Sequence, residues 1–415
     1  MDINKRLLKY FFIIVHFGLF YPIIKIFIAI LGGIKIITSI AKHKERKFIL
    51  SPFTKSLSLV YFYYVVYSIF CFLIILYLFP YSGVFPRFVT QQFSMGLLFF
   101  QIYLGYQIAL KLEPIEINKI FQKIIYFISF IAIYQIIANY TGLPYIGKYV
   151  MDSNFGLRIS SLSGEPKHFS SILVLAIFSL KDRIMNDITK HKFYLTIFLI
   201  LLIYLFLRTG SGNGYLSLFI ITIMSIYLWR PKLLLIACLI FSVGILWFLN
   251  NYEIFNLRAS HVMIIESIKS FKLSLLVWDD LVALPLMSWI KYPFFLVSGF
   301  GFNLNHFFAY EFMNYATWLD GIKYIDSNIS IISIISNFGV ILPITLFIYI
   351  TNSTQKILKT QASDEVKLMV RFAYYTFTIG LFVAGNVSIL FFGSIGILLY
   401  FIRYYKNQRL LKSEI

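Results

Sequence analysis

The feature that most constrains this chain is the recurrence of apolar windows long enough to cross a membrane. A bilayer core about 30 Å thick needs about 20 apolar residues in a helix. Clear windows of this kind lie at 57–79, 88–110, 120–140, 233–250 and 327–350. The composition agrees, since 59% of the residues are hydrophobic and only 13% are charged, against about 25% charged residues in average soluble proteins. A soluble globular domain and a disordered chain are both excluded.

In two further apolar regions, the number of spans depends on whether the helix is broken. The windows 193–207 and 211–229 are separated by the string RTGSGNG, which predicts two helices that meet at a glycine-rich turn. The uncharged run 372–402 is long enough for one steep helix or for two short helices folded at Gly385 and Asn386. The charge of the flanking loops decides between these two possibilities.

The chain carries 37 Lys and Arg against 18 Asp and Glu, a formal charge of +19. In a soluble protein this excess would suggest nucleic acid, but loops on the cytoplasmic side of a membrane also collect Lys and Arg. We therefore predict no nucleic-acid partner. The basic loops alternate with less basic ones only if 10–40 and 371–403 each cross twice. The prediction is an all-α polytopic bundle of about twelve helices, a single membrane domain over 1–415 with both termini cytoplasmic.

Two long external segments are expected, at 141–167 and 251–326. Within the larger one, a stripe of apolar residues at spacings of four, three and four predicts an amphipathic helix on the outer surface; it comprises Ile264, Ile268, Phe271 and Leu275. Function in a helical bundle is expected where long loops meet polar groups inside the membrane.

The first polar string is GLRISSLSGEPKHFS at 156–170. Pro166 suits the first turn of a helix, and Ser163 or Gly164 can cap it. A helix N-terminus is therefore expected on the external side with Glu165 beside it. The alternative is that Arg158 and Glu165 form only a surface salt bridge next to a helix cap.

The second string is LRTGSGNGY at 207–215, which lacks the Lys-Ser/Thr ending of a nucleotide P-loop. Its glycines would let backbone N–H groups converge on an anion at a helix N-terminus, and Arg208 can form two parallel bonds to a phosphate. The backbone groups concerned belong to Gly210, Ser211, Gly212 and Gly214. The alternative is an ordinary turn whose arginine reaches the lipid headgroups.

The third candidate region is the large external segment. His306 follows the string KYPFFLVSGFGFNLN, and Asp326-Ser327-Asn328 stand where the chain re-enters the membrane. A single loop histidine is usually just solvated, and the three later residues would also make an ordinary N-cap.

The sequence offers little for metal or thiol chemistry. No His or Cys cluster has metal-ligand spacing, and Asp279 and Asp280 are adjacent, so on a helix they diverge. The two cysteines, Cys71 and Cys238, lie inside apolar runs and give no support for a disulfide. A metal-free mechanism that relies on arginine is favoured.

Three features in this order resemble the O-antigen polymerase and O-antigen ligase family of bacterial integral membrane glycosyltransferases, over roughly 120–350. They are an arginine before a G-E-P string and a short helix, an R-x-G-S turn between two helices, and a large external loop that ends in P-x-x-x-x-G-x-G. Ligases of that family typically carry a histidine at the re-entry point, where this chain has Asp326-Ser327-Asn328. That departure favours a polymerase.

The resemblance implies a polyprenyl-pyrophosphate-linked oligosaccharide donor, transfer of the growing glycan to another lipid-linked unit, and no metal or cofactor. It places the reaction at the outer face of the bacterial cytoplasmic (inner) membrane, with the bilayer, a chain-length regulator and a flippase as partners. The alternatives are a ligase that uses the same donor, a transporter of lipid-linked glycans, and a purely structural subunit.

If the chain carries out this glycosyl transfer, each candidate residue has a predicted role. Arg208 and the amides from Gly210 to Gly214 would hold the leaving pyrophosphate, and Arg158 would make a second phosphate contact. His168 and Asn328 are further candidates for substrate binding. The general base would be Glu165, then Asp326, then His306.

Overall fold

The computed structural model describes residues 52–78, 84–147, 149–152, 156–162, 166–185, 192–254, 288–301, 330–383 and 389–413, with a few isolated positions between 262 and 304. These ranges are mostly helical, which confirms the all-α prediction. The helices are α1 (Pro52–Leu78), α2 (Val84–Lys111), α3 (Pro114–Thr141), α4 (Pro166–Met185), α5 (Lys192–Thr209), α6 (Gly212–Trp229), α7 (Leu234–Asn250), α8 (Phe294–Ser298), α9 (Ser330–Phe338), α10 (Ile341–Leu358), α11 (Asp364–Phe382) and α12 (Ile389–Ser413). Single 3₁₀ turns at Pro231–Leu233 and Tyr252–Ile254 flank α7.

A two-stranded antiparallel hairpin lies between α3 and α4. Its strands are β1 (Met151–Asp152) and β2 (Gly156–Leu157), with Met151 opposite Leu157. This hairpin occupies the middle of the predicted external segment 141–167.

Four described helices, α1, α3, α5 and α6, are long and apolar enough to cross a membrane. The pair α9 and α10 would add a fifth span if it counts as one bent helix. Large apolar side chains also cover much of the outside of the bundle; Phe62 on α1 is 65% exposed and Leu235 on α7 is 71% exposed. Apolar surface of this extent is typical of contact with lipid, and it supports a membrane protein.

The twelve-helix count and the large external loop remain predictions. The expected hairpin at 10–40 lies outside the described residues, as does most of the segment 251–326, including most of its predicted amphipathic helix. The run 372–402 is divided between α11 and α12, and the predicted fold point at Gly385 and Asn386 lies in the undescribed stretch between them.

We predicted a single span at 327–350, whereas the structure has two helices there, α9 and α10. Helices α9 and α10 are bent by 118° at a short break. Gly339 lies in this break with φ of 74°, a left-handed conformation that glycine adopts without steric cost. The Val340 N–H donates to the Leu296 carbonyl at 2.9 Å, so the end of α8 stabilises the bend.

Helix α11 forms the centre of the bundle, and every residue from Leu368 to Leu381 is buried. It packs against α3, α4, α6, α10 and α12. Helix α2 lies along α12, where a side chain at Gly105 would meet the backbone of Gly393. Small residues allow this close backbone approach between helices.

Polar contacts join the last turns of α4 and α6 to the middle of α11. Asp182, near the end of α4, is fully buried and lies 3.6 Å from the Lys181 ammonium group and 3.5 Å from the Tyr375 hydroxyl on α11. Lys181 and Tyr375 both contact the Ser225 hydroxyl near the end of α6. We call this the Asp182 end, and we call the opposite end, where α6 begins, the Arg158 end.

Candidate functional site

Arg158 and Arg208 come together at the turn between α5 and α6. The Arg158 side chain is 8% exposed, and its Nε donates to the Thr209 carbonyl at 3.0 Å. The N–H of Ile159 donates to the Arg208 carbonyl at 3.4 Å. The segment after β2 therefore runs along the end of α5, and two polar strings that are distant in sequence form one structural site.

The turn itself is made of small residues. Helix α5 ends at Thr209, Gly210 has φ of 53°, and Ser211 is the N-cap of α6. The Ser211 carbonyl accepts hydrogen bonds from the N–H groups of Gly214 at 3.0 Å and Tyr215 at 3.3 Å. The first amides of α6 thus lie directly beside Arg208, at the positive end of the helix dipole.

The N-terminus of α4 lies next to that of α6. A Cβ on Gly214 would be 2.7 Å from the Ser170 Cβ, and the hydroxyls of Ser171 and Ser217 are 3.2 Å apart. Lys167 and His168, in the first turn of α4, are both partly exposed. Two helix N-termini and their basic neighbours therefore converge at the Arg158 end, an arrangement that favours anions.

Gln135 on α3, which the sequence analysis did not single out, holds the Arg158 segment in place. This fully buried amide donates to the carbonyls of Ile146 at 2.7 Å and Ser161 at 3.2 Å, and it accepts from the N–H groups of Ser160 at 3.2 Å and Ser161 at 2.9 Å. The available signal was a glutamine inside the apolar window 120–140, because polar groups inside the membrane are costly and usually functional.

Ser161 completes this attachment. Its φ is 49°, an uncommon conformation for a residue other than glycine. Its hydroxyl donates to the Ile128 carbonyl at 2.8 Å. The strained residue is thus held by its own side chain and by Gln135, which fixes the chain three residues after Arg158.

Arg208 differs from Arg158 in its surroundings. It is half-buried, and its Nε is buried without a hydrogen-bond partner in the part of the chain that the structure describes. A buried donor without a partner costs about 1–3 kcal/mol. An anion at the turn would remove that cost.

The other predicted site residues cannot be placed beside the arginines. Glu165, His306, Asp326 and Asn328 lie outside the described residues, as do the predicted caps Ser163 and Gly164. Glu165 directly precedes Pro166, the first residue of α4. Arg158 itself is buried, and the alternative of an ion pair with Glu165 stays open because Glu165 lies outside the described residues.

The residues 293–301, from the string PFFLVSGFG at the end of the large loop, pack against α1 and α9. The Phe300 N–H donates to the Ser336 carbonyl of α9 at 2.7 Å, and the Tyr67 hydroxyl of α1 donates to the Gly299 carbonyl at 2.6 Å.

Cys71 of α1 is fully buried beside Gly301, as expected for a cysteine inside an apolar run, whereas the side chain of Cys238 is not among the described ones. Within the described ranges, no group of three His, Cys, Asp or Glu residues could hold a metal ion.

Comparison of the chain with protein-family models, with curated proteins and with solved structures finds no match. The resemblance described above therefore stays a prediction, and the function has to be argued from the site.

Proposed function

We propose that this chain polymerises lipid-pyrophosphate-linked oligosaccharide repeat units, of the O-antigen or capsular type, at the outer face of the bacterial cytoplasmic membrane. The observation that carries the proposal is the hydrogen bond from Arg158 Nε to the Thr209 carbonyl. It brings a buried arginine to the turn that contains a second arginine and the N-terminus of α6.

The cost of such a site argues for an anionic ligand. The Arg208 Nε is buried without a hydrogen-bond partner among the described residues, which costs about 1–3 kcal/mol. Two arginines and two helix N-termini in one place make a region of positive potential that an anion would stabilise. A diphosphate supplies two adjacent charged groups, and arginine binds phosphate oxygens with two parallel bonds.

The surface beside the turn suits a lipid-linked substrate. Leu207 and Tyr215 flank the turn and are 49% and 47% exposed. A polyprenyl chain lying in the bilayer against these side chains would bring its diphosphate to Arg208 without leaving the membrane. A soluble sugar nucleotide would gain nothing from this apolar surface.

The reaction would then proceed as one displacement. An acceptor hydroxyl oxygen bonds to the anomeric carbon of the donor, and the bond from that carbon to the pyrophosphate oxygen breaks with its electron pair. The hydroxyl proton passes to a general base, for which the Glu165 carboxylate is the first candidate, the Asp326 carboxylate the second and the His306 imidazole the third. The charge that grows on the pyrophosphate is stabilised by Arg208, Arg158 and the amides of Ser211 and Gly212, since fixed donors at a developing charge lower the barrier. The N–H groups of Gly210 and Gly214 donate to backbone carbonyls within the turn.

The test is complementation of a strain that lacks this gene, with surface glycan analysed by gel electrophoresis. The wild-type chain is expected to restore a ladder of polymerised units. Transfer of ready-made polymer to lipid A core, with polymerisation intact in the deletion strain, would indicate a ligase. Failure of lipid-linked units to reach the outer face would indicate a transporter.

A further inference from the structure

A cavity of about 280 Å³ lies between the C-terminal half of α10 and the middle of α12. Its lining includes Tyr349, Ser353 and Lys356 on α10 and Ile402, Tyr405 and Lys406 on α12.

This cavity lies far from the arginine turn. Gln355, beside Lys356 on α10, donates to the Tyr227 carbonyl near the end of α6 at 3.3 Å. Helix α6 has 18 residues, which at 1.5 Å per residue separates its two ends by about 27 Å. The cavity is therefore at the Asp182 end and is not part of the proposed donor site.

The charges around the cavity are of one sign. Lys356 and Lys406 come from two different helices, and among the residues that the structure describes no carboxylate lines the cavity. Two exposed lysines in the lining of one cavity, with no acidic residue in the lining described, attract an anion. The Ser353 hydroxyl adds a hydrogen-bonding group between them, while the buried side chains of Ile357 and Ile402 form apolar walls.

An exposed apolar surface on α10 leads to the same cavity. Ile341, Ile344 and Ile348 are 58%, 49% and 52% exposed, and they are followed by Tyr349, which is 50% exposed and lines the cavity. Acyl chains could lie along this surface while a charged headgroup enters the cavity. Tyrosine is frequent at membrane–water interfaces because its ring is apolar and its hydroxyl is polar.

We infer that the cavity binds the phosphate of an anionic glycerophospholipid, with Lys356 and Lys406 as its cationic contacts. Basic pockets between membrane helices are suited to anionic headgroups. The volume lies just below the about 300 Å³ at which sites for drug-sized ligands begin, so it fits a headgroup and not an oligosaccharide unit. The site is independent of the glycan chemistry at the Arg158 end.

The experiment is native mass spectrometry of the full chain in detergent, titrated with phosphatidylglycerol or with phosphatidylcholine of the same acyl chains. The wild-type chain should bind phosphatidylglycerol at lower concentration. Lys356→Gln and Lys406→Gln should each weaken that binding about fivefold, as expected for one interfacial lysine, and Lys356→Arg should retain it.

Lys359→Gln is the matched control, because Lys359 is an exposed lysine next to Thr360 that does not itself line the cavity. It should bind phosphatidylglycerol as the wild-type chain does. Equal binding of the two lipids, or an equal loss in the control, would overturn the inference. Displacement of phosphatidylglycerol by glycerol 3-phosphate at a comparable concentration would show that a soluble phosphate is the occupant and that the lipid assignment is wrong.

Discussion

Arg158 Nε donates a hydrogen bond of 3.0 Å to the carbonyl oxygen of Thr209, a residue 51 positions later in the chain. The acceptor is fully buried and directly follows Arg208. This bond fixes one guanidinium group beside the turn that carries the other, so the two arginines can be tested as parts of one site.

Arg208→Ala should abolish polymerisation without loss of protein. Its Nε has no hydrogen-bond partner in the described structure, so removing the side chain should lower the free energy of unfolding only by the packing that its aliphatic part loses. Loss of one fixed donor at a developing negative charge slows chemistry about 100- to 1,000-fold. The measurement is glycan length in complemented cells, with membrane-inserted protein quantified in parallel.

The matched control for this variant is Arg230→Ala. Arg230 is exposed at the other end of the same helix, so its removal deletes an equal charge far from the turn. Full-length glycan from the Arg208→Ala chain, or equal loss in the control, would contradict the proposed site.

Arg158→Ala should lose both activity and stability. The substitution leaves the buried Thr209 carbonyl without its donor, which costs about 1–3 kcal/mol. Thermal unfolding in detergent should therefore distinguish the two arginine variants. The midpoint temperature should fall more for Arg158→Ala than for Arg208→Ala. If Arg158→Ala polymerised normally at reduced stability, its role would be structural only.

Gln135→Leu should inactivate the enzyme through the position of Arg158. The substitution removes all four hydrogen bonds of this amide and leaves Ser161 in its left-handed conformation with less support. We expect a large loss of polymerisation and a lowered unfolding temperature. Gln135→Glu keeps the shape and the acceptor but loses the two N–H bonds to carbonyls, so it should retain less activity than the wild-type chain.

Gln355→Leu serves as the control for the glutamine experiment. Gln355 also donates an amide hydrogen bond to a backbone carbonyl, but it does so at the Asp182 end. The Gln355→Leu variant should lower the stability of the chain modestly and leave polymerisation intact. Equal inactivation by both glutamine variants would mean that stability alone explains the loss.

The sequence predicted the spans better than the site. Hydropathy located α1, α3, α5 and α6 because each is a long apolar run, and the glycine turn was visible as a charged break between two such runs. The bend between α9 and α10 was missed, because it depends on the end of α8 packing against Gly339. Nothing in the local sequence shows that contact.

Long-range polar contacts were the other gap. The sequence shows that Gln135 and Asp182 are polar residues next to apolar ones, but it does not show their partners. Asp182 meets Tyr375, which lies 193 positions away. Ser161 adopts positive φ only because α3 supplies two of its hydrogen-bond partners, so its conformation follows from tertiary packing and not from local propensity.

Glu165→Gln should slow transfer and spare donor binding if this carboxylate is the general base. A positioned base contributes about 100- to 10,000-fold to the rate, whereas an amide of the same size still makes neutral contacts. The measurement is binding of lipid-linked donor together with the single-turnover rate on purified chain. A loss of affinity as large as the loss of rate would argue against this role and direct attention to Asp326.

Gly214→Ala should separate the two helix N-termini that meet at the site. Its Cβ would lie 2.7 Å from the Ser170 Cβ, 2.8 Å from the Ser170 hydroxyl oxygen and 2.9 Å from the Phe206 ring, distances that force α4 and α6 apart. We expect reduced polymerisation and a stability loss of about 1–3 kcal/mol, as for other overpacked positions. Adding Ser170→Gly removes two of the three close contacts and should restore part of the activity. Gly244→Ala, in an open position inside α7, should leave polymerisation unchanged and raise stability by about 0.5–1 kcal/mol. An unchanged Gly214→Ala chain would show that the approach of α4 to α6 does not matter for the reaction.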